Sequence, residues 1–153
     1  MATRRGARQA GLVGMQATLD ALNQYGKDMD DQLKWAVDKT AGEVLELAQR
    51  SINRKSRGEK VGKRYVSKPG DAPNTDSGDL LKSLMVVNNG FYADVGTDLF
   101  YAPWLEFGTQ NMPARPFLAP ALKRRRFVWF KRLKEIAKEA GVKIGRKGKR
   151  ARK

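Results

Sequence analysis

From Met15 onward, apolar residues recur mostly at three- and four-residue steps or their sums: Leu19, Leu22, Met29, Leu33, Val37, Val44, Leu47 and Ile52, with Ala36, Ala41 and Ala48 between them. That spacing lays one stripe along a helix. Gly26 and Gly42 each weaken such a helix by about 1 kcal/mol relative to Ala, so either one long helix or a short one followed by a long one is expected, with a bend or break near Gly26. Residues 1–14, small, Gly-containing and basic, are expected as a flexible arm. Between Asn53 and Ser77 the periodicity dissolves into a segment rich in Gly, Pro, Lys and Arg, and loops of this length are functional, disordered or ordered by a partner.

Asp76 or Ser77 is suited to cap a short helix carrying Leu80, Leu81 and Leu84. Two β-favouring runs, near 83–88 and 91–97, then flank Asn89-Gly90, a pair fitted to the left-handed backbone of a two-residue hairpin turn. A lone hairpin is marginal, so further strands or a covering helix are required, and the N-terminal helix is the natural cover. After the turn-forming Met112–Phe117, helical spacing returns: Leu118, Leu122, Val128 or Trp129, Leu133, Ile136 and Ala140 lie toward one side and Lys/Arg toward the other. Pro120 fits the first turn and Gly141 the end. Residues 141–153 lack the apolar content to fold alone.

The length of 153 residues suits one core, expected over 15–140, with a long basic loop at 54–77 and a basic tail at 141–153. No apolar run approaches the roughly 18 residues needed to span a bilayer, and no apolar signal core follows the first basic residues, so synthesis in the cytoplasm without secretion is expected. Cys and His are both absent, which removes disulfides, thiolate nucleophiles, the commonest general base and the commonest zinc ligand. No metal site or cofactor is expected, and no enzyme activity. The net charge of +15 is uneven: Lys123–Lys153 holds fifteen Lys or Arg against Glu135 and Glu139, a net +13, leaving +2 for the first 122 residues. Such a block attracts polyanions, nucleic acid first among them. GEKVGKR, residues 58–64, fails as a phosphate-binding loop, with too few residues between its glycines and Arg64 where a hydroxyl is needed. Lys60, Lys63 and Arg64 are instead expected on an exposed basic loop or hairpin tip.

One residue stands out against that basic background. Glu106 sits in YAPWLEFGT (101–109), among Trp104, Leu105 and Phe107. A carboxylate in apolar surroundings needs a cation or several N–H donors. Arg115, nine residues on, is the nearest candidate cation in sequence, though backbone amides or a neighbouring subunit are alternatives; Gly108 and Thr109 would allow the tight reversal that a structural clamp needs. Phe100, Tyr101, Trp104 and Phe107 are expected chiefly in the core between sheet and C-terminal helix, with a subunit interface and, after it, stacking on nucleic-acid bases as the alternatives.

Four segments in order, PGDAPNTDSGDLLKSL (69–84), ADVGT (93–97), YAPWLEFGT (101–109) and MPARPFLAPAL (112–122), resemble the tailed-bacteriophage neck family, the minor tail-component or tail-completion proteins of lambdoid-type siphophages. The resemblance spans roughly residues 15–140. It departs at Ser77, where the family commonly has Thr, and in the basic tail. It implies an α+β fold in which a long N-terminal helix and a C-terminal helix pack on a small, mainly antiparallel sheet containing the Asn-Gly hairpin. It also implies a non-enzymatic virion protein at the head–tail junction, assembled in the host cytoplasm as a homo-oligomeric ring, a hexamer, around the DNA channel. The partners would be the head–tail connector or adaptor and the tail terminator or tail tube proteins. Tyr101, Trp104, Phe107, Gly108, Thr109, Pro116, Phe117 and Pro120 would carry the family motif and its interface. Lys60, Lys63, Arg64, Lys143, Arg146, Lys147, Lys149 and Arg150 would meet DNA or a neighbouring protein.

Two other readings compete. A non-specific nucleic-acid-binding protein acting through Lys123–Lys153 would bind DNA or RNA as a monomer, yet no recognised reading motif accompanies the basic block. A carboxylate-dependent nuclease would need Asp94, Asp98 and Glu106 to converge, and their spacing gives no reason to expect it.

Overall fold

A computed structural model of the chain describes residues 5–54, 56, 58–62 and 64–141, with side chains from Gln16 onward except that of Arg64. The first element, α1, runs unbroken from Arg5 to Asn53. No proline precedes Pro69, so nothing removes a backbone donor, and the helix passes through Gly26 without a break. It also begins at Arg5, so residues 5–14, expected as an arm, have a helical backbone; Ala, Arg, Gln and Leu there favour the helix.

A two-stranded hairpin follows, β1 (Lys60–Val61) and β2 (Arg64–Tyr65), turning at Gly62 with φ 63°. The rest of the segment is tethered rather than loose. Asn74 does most of this: its Oδ1 accepts the Ser56 N–H at 2.7 Å, and its Nδ2 donates to the carbonyls of Ser56 and Tyr65. Thr75 Oγ1 donates to the Ile52 carbonyl at the end of α1. Gly58 has no room for a side chain, because a Cβ there would meet the Val66 carbonyl oxygen.

Helix α2 (Asp79–Ser83) starts with Gly78 as its N-cap residue, and Ser77 Oγ accepts the Asp79 N–H at 3.4 Å. Strands β3 (Met85–Asn88) and β4 (Ala93–Gly96) pair antiparallel, with Val86 opposite Val95 and Asn88 opposite Ala93. The turn lies one residue later than Asn89-Gly90 predicts. Asn89 donates its N–H to the Tyr92 carbonyl at 2.9 Å, which makes Gly90 and Phe91 the central pair. Only the first of these has positive φ, at 81°, the arrangement of a turn with glycine leading. The hairpin gains its cover from α1: Asn88 donates to Asp38 at 3.0 Å, and Lys34 lies 5.2 Å from the Phe91 ring centre.

Helix α3 (Ala102–Phe107) and helix α4 (Leu118–Glu139) complete the α+β architecture. Helix α4 lies antiparallel on α1, and Gly141, at φ 70°, follows its end in the left-handed conformation. The core forms where Val44, Ala48 and Ile52 of α1 meet Leu80, Leu84, Ala102, Phe117 and Ala121. Small residues at Ala36, Ala41, Ala48 and Ala121 let the helices approach, while Phe117 and Ile52 fill the space between elements. Burying each of these two side chains stabilises the fold by about 1.5–3 kcal/mol.

A buried-edge ion pair fixes the helix pairing. Arg132 of α4 donates through both terminal nitrogens to Glu43 of α1, at 2.6 and 3.2 Å, and to Thr40 Oγ1 at 2.8 Å. Those hydrogen bonds, with the charges of Arg132, Arg125 and Lys39, hold the Glu43 carboxyl below its ordinary value against the opposing effect of burial. The apolar stripe of α1 outruns this cover. Leu19 and Leu22 are exposed, although the pattern assigns them the same face as Val37 and Val44. Leu122 of α4 is exposed as well.

Candidate assembly site

The YAPWLEFGT segment forms α3 and the corner after it. Tyr101 precedes the helix, and Pro103 falls in its first turn, where a missing N–H breaks no bond. The helix ends at Gly108, whose N–H returns to the Trp104 carbonyl at 2.9 Å. Gly108 has φ 76° and ψ −179°, a region essentially confined to glycine. A Cβ there would also lie 2.8 Å from the Ala114 nitrogen and the Met112 oxygen. Thr109 and Met112 exchange both backbone hydrogen bonds, and Arg115 N–H reaches the Leu105 carbonyl at 2.7 Å, so the chain folds back along α3.

That reversal delivers the start of α4 to Glu106. Oε2 accepts the N–H groups of Phe117 and Leu118 at 2.8 and 3.0 Å, and Oε1 accepts that of Ala119 at 2.8 Å. A helix start leaves about four N–H groups without internal partners. Here three of them converge on one carboxylate, and the fourth position is Pro120, which has none. A negative charge at the positive end of a helix dipole adds further stabilisation. Glu106 therefore locks α3 to α4 at the residue, Phe117, whose ring is buried in the core.

Arg115 does not pair with this acid. Its Nε donates to the Ser67 carbonyl at 3.2 Å and a terminal nitrogen to the Pro113 carbonyl at 3.3 Å. It ties the corner to the segment after the β1–β2 hairpin, where the Gly70 N–H also reaches the Ala114 carbonyl. The cation nearest in sequence loses to amides that need an acceptor and are already positioned by the helix.

The aromatic residues are not core. Phe107 is 80% exposed, Phe100 76% and Trp104 52%, while Tyr101 is half-buried. Phe100 meets both Tyr101 and Trp104 edge-on at centroid distances of 5.6 and 5.7 Å, forming one patch on the outside of the corner. On the other side Pro116 and Pro120 line an open groove of about 600 Å³, with Arg50, Arg54 and Arg124 at its wall. Thr109 is exposed at the tip. Asp94 and Asp98 are exposed, and no group of three or more His, Cys, Asp or Glu among the described residues is placed to hold a metal ion. Lys60 is exposed on β1; Lys63, the Arg64 side chain, Lys143, Arg146, Lys147, Lys149 and Arg150 lie outside the described residues. Pattern reading missed the Glu43–Arg132 pair and the tether at Asn74. The first left no local signal, because its partners are 89 residues apart.

Residues 16–108 match the model of the HK97-gp10-like family, described as "Bacteriophage HK97-gp10, putative tail-component". The chain belongs to this family. As an HK97-gp10-like protein it is a structural component of the siphophage tail or neck, in agreement with the resemblance carried by its four motifs. No curated protein and no solved structure matches the chain. The family match ends at Gly108, so the three amides that Glu106 holds lie just past it. No helix among the described residues is long and apolar enough to cross a membrane.

Proposed function

We propose that this HK97-gp10-like protein is a non-enzymatic neck component that forms a homo-oligomeric ring, a hexamer, joining the head connector to the tail around the DNA channel. The observation that carries the reading is the use made of the motif. Its acid is consumed in fixing a corner, and the corner leaves Phe100, Trp104 and Phe107 exposed, with Phe100 edge-on to Trp104. Exposed aromatic clusters of this kind mark protein contacts, where aromatic side chains are enriched. The connector or adaptor and the tail terminator or tail tube proteins are the partners that fit this place in the virion. The basic β1–β2 hairpin would reach a neighbouring ring, and residues 141–153 would meet genomic DNA through salt-sensitive phosphate contacts.

Joining assays test the reading. Phe107→Asp together with Trp104→Asp should leave the thermal melt unchanged and stop tails from attaching to filled heads. Wild-type protein that stays monomeric at high concentration, or particles that join heads to tails without it, would overturn the proposal. Tight DNA binding by an isolated monomer, abolished by deleting 141–153, would favour the nucleic-acid-binding alternative.

A further inference from the structure

The overhanging half of α1 and the outward face of α4 complement each other in both shape of pattern and charge. Every residue from Gln16 to Asp28 is exposed. Within that span Leu19, Leu22 and Tyr25 continue the apolar stripe that the core covers further along the helix. Its own α4 cannot cover them: Tyr25 donates to the carbonyl of Glu139, the last residue of α4, so the cover stops at that level. From Gln16 to Leu33 the acids are Asp20, Asp28, Asp30 and Asp31 against Lys27, a net charge of −4 + 1 = −3.

Helix α4 offers the opposite. Lys123, Phe127, Phe130 and Lys134 follow one another at four-, three- and four-residue steps, which puts them on one side of the helix. Phe127 is 79% exposed and Phe130 48%, and Arg126 lies over the Phe130 ring at 5.6 Å. Residues 123–134 hold seven Lys or Arg and no acid. Arg125 and Arg132 are engaged with Glu43 and Lys131 lies 3.9 Å from Glu135 of its own helix, while Lys123, Arg126 and Lys134 are exposed.

We propose that the outward face of α4 in one copy of this chain seats on the overhanging half of α1 in the next. Phe127 and Phe130 would cover Leu19 and Leu22, and the flanking Lys and Arg would meet Asp28 and Asp30, the acids that helical spacing puts beside that stripe. The two faces are different surfaces of the same protomer, so the contact is head-to-tail, and head-to-tail contacts close into rings when the rotation allows. The inference rests on the homo-oligomer reading above and assigns its interface.

Native mass spectrometry of two double variants and their mixture tests it. Leu19→Asp/Leu22→Asp disables the α1 face, and Phe127→Asp/Phe130→Asp disables the α4 face; all four positions are exposed, and helical circular dichroism verifies folding. Each variant alone should be monomeric. An equimolar mixture should give one-to-one dimers and nothing larger, since each pair retains one intact α1 face and one intact α4 face. A ring or dimer formed by either variant alone, or a mixture that stays monomeric, overturns the interface while leaving the ring reading standing. A wild-type chain that is itself monomeric overturns the oligomer reading, and this interface with it.

Discussion

Glu106 joins two elements through three N–H groups, so its removal should be felt as stability rather than as chemistry. Glu106→Gln keeps the shape but removes the charge and turns an amide N–H₂ toward backbone donors. We expect a loss of about 1–3 kcal/mol, read as a lower urea midpoint at unchanged slope. Arg115→Ala gives up hydrogen bonds to two carbonyls near the surface and should cost no more than about 1.5 kcal/mol; an equal or larger loss would mean that the guanidinium, not the helix start, holds the corner. Gly108→Ala meets both the glycine-only backbone and the 2.8 Å contacts, and should cost more than about 2 kcal/mol. That Glu106 needs a partner is legible from its apolar neighbours. The identity of the partner is not, since sequence distance favours Arg115 while the helix start supplies donors already aligned. Pro120 is the clue in hand, because a proline in the first turn marks where unpaired N–H groups gather.

At the scale of elements, the helices were legible because periodicity reports a face, and the face was real at Val37, Val44, Leu133 and Ile136. Burial was less legible. Phe100, Trp104 and Phe107 look like core by composition, yet apolar side chains are not obliged to be inside, and a six-residue helix at a corner has only one side to bury. Long-range pairings were not legible at all, and two of them make predictions. Glu43 has a lowered pKa in the folded state, so its pairing contributes stability above the ordinary carboxylate value of 4.5, and that contribution is lost as pH falls through the folded pKa. Glu43→Gln should therefore lower the melting temperature near pH 7 and narrow its difference from wild type in acid; an unchanged difference at low pH would deny the link. Asn74→Ala should cut the β1–β2 hairpin loose from the end of α1. Limited trypsin digestion would then cleave within 54–68 at least several-fold faster, with α1 and α4 otherwise intact.

On the scale of the whole molecule, α1 is packed from Ala36 to Ile52 and exposed from Gln16 to Asp28. A helix of 49 residues at about 1.5 Å each extends roughly 73 Å, yet α4 accompanies it only from the level of Tyr25 onward. Helical stretches without tertiary packing are marginal in water, so the free energy that keeps the overhang helical in a lone protomer is small. Hydrogen exchange of the monomer should then be fast at residues 16–24 and slow at 36–52, where Ala36, Val44, Ala48 and Ile52 are buried. Assembly changes only the first of these. If the overhang is an interface, its amides should slow by at least about tenfold in the oligomer while those of 36–52 hardly move, because burying a helix face raises its local opening free energy by well over 1 kcal/mol. An overhang that exchanges equally fast in both states would show that α1 projects past the subunit contact, leaving that half of the helix for a different neighbour in the neck.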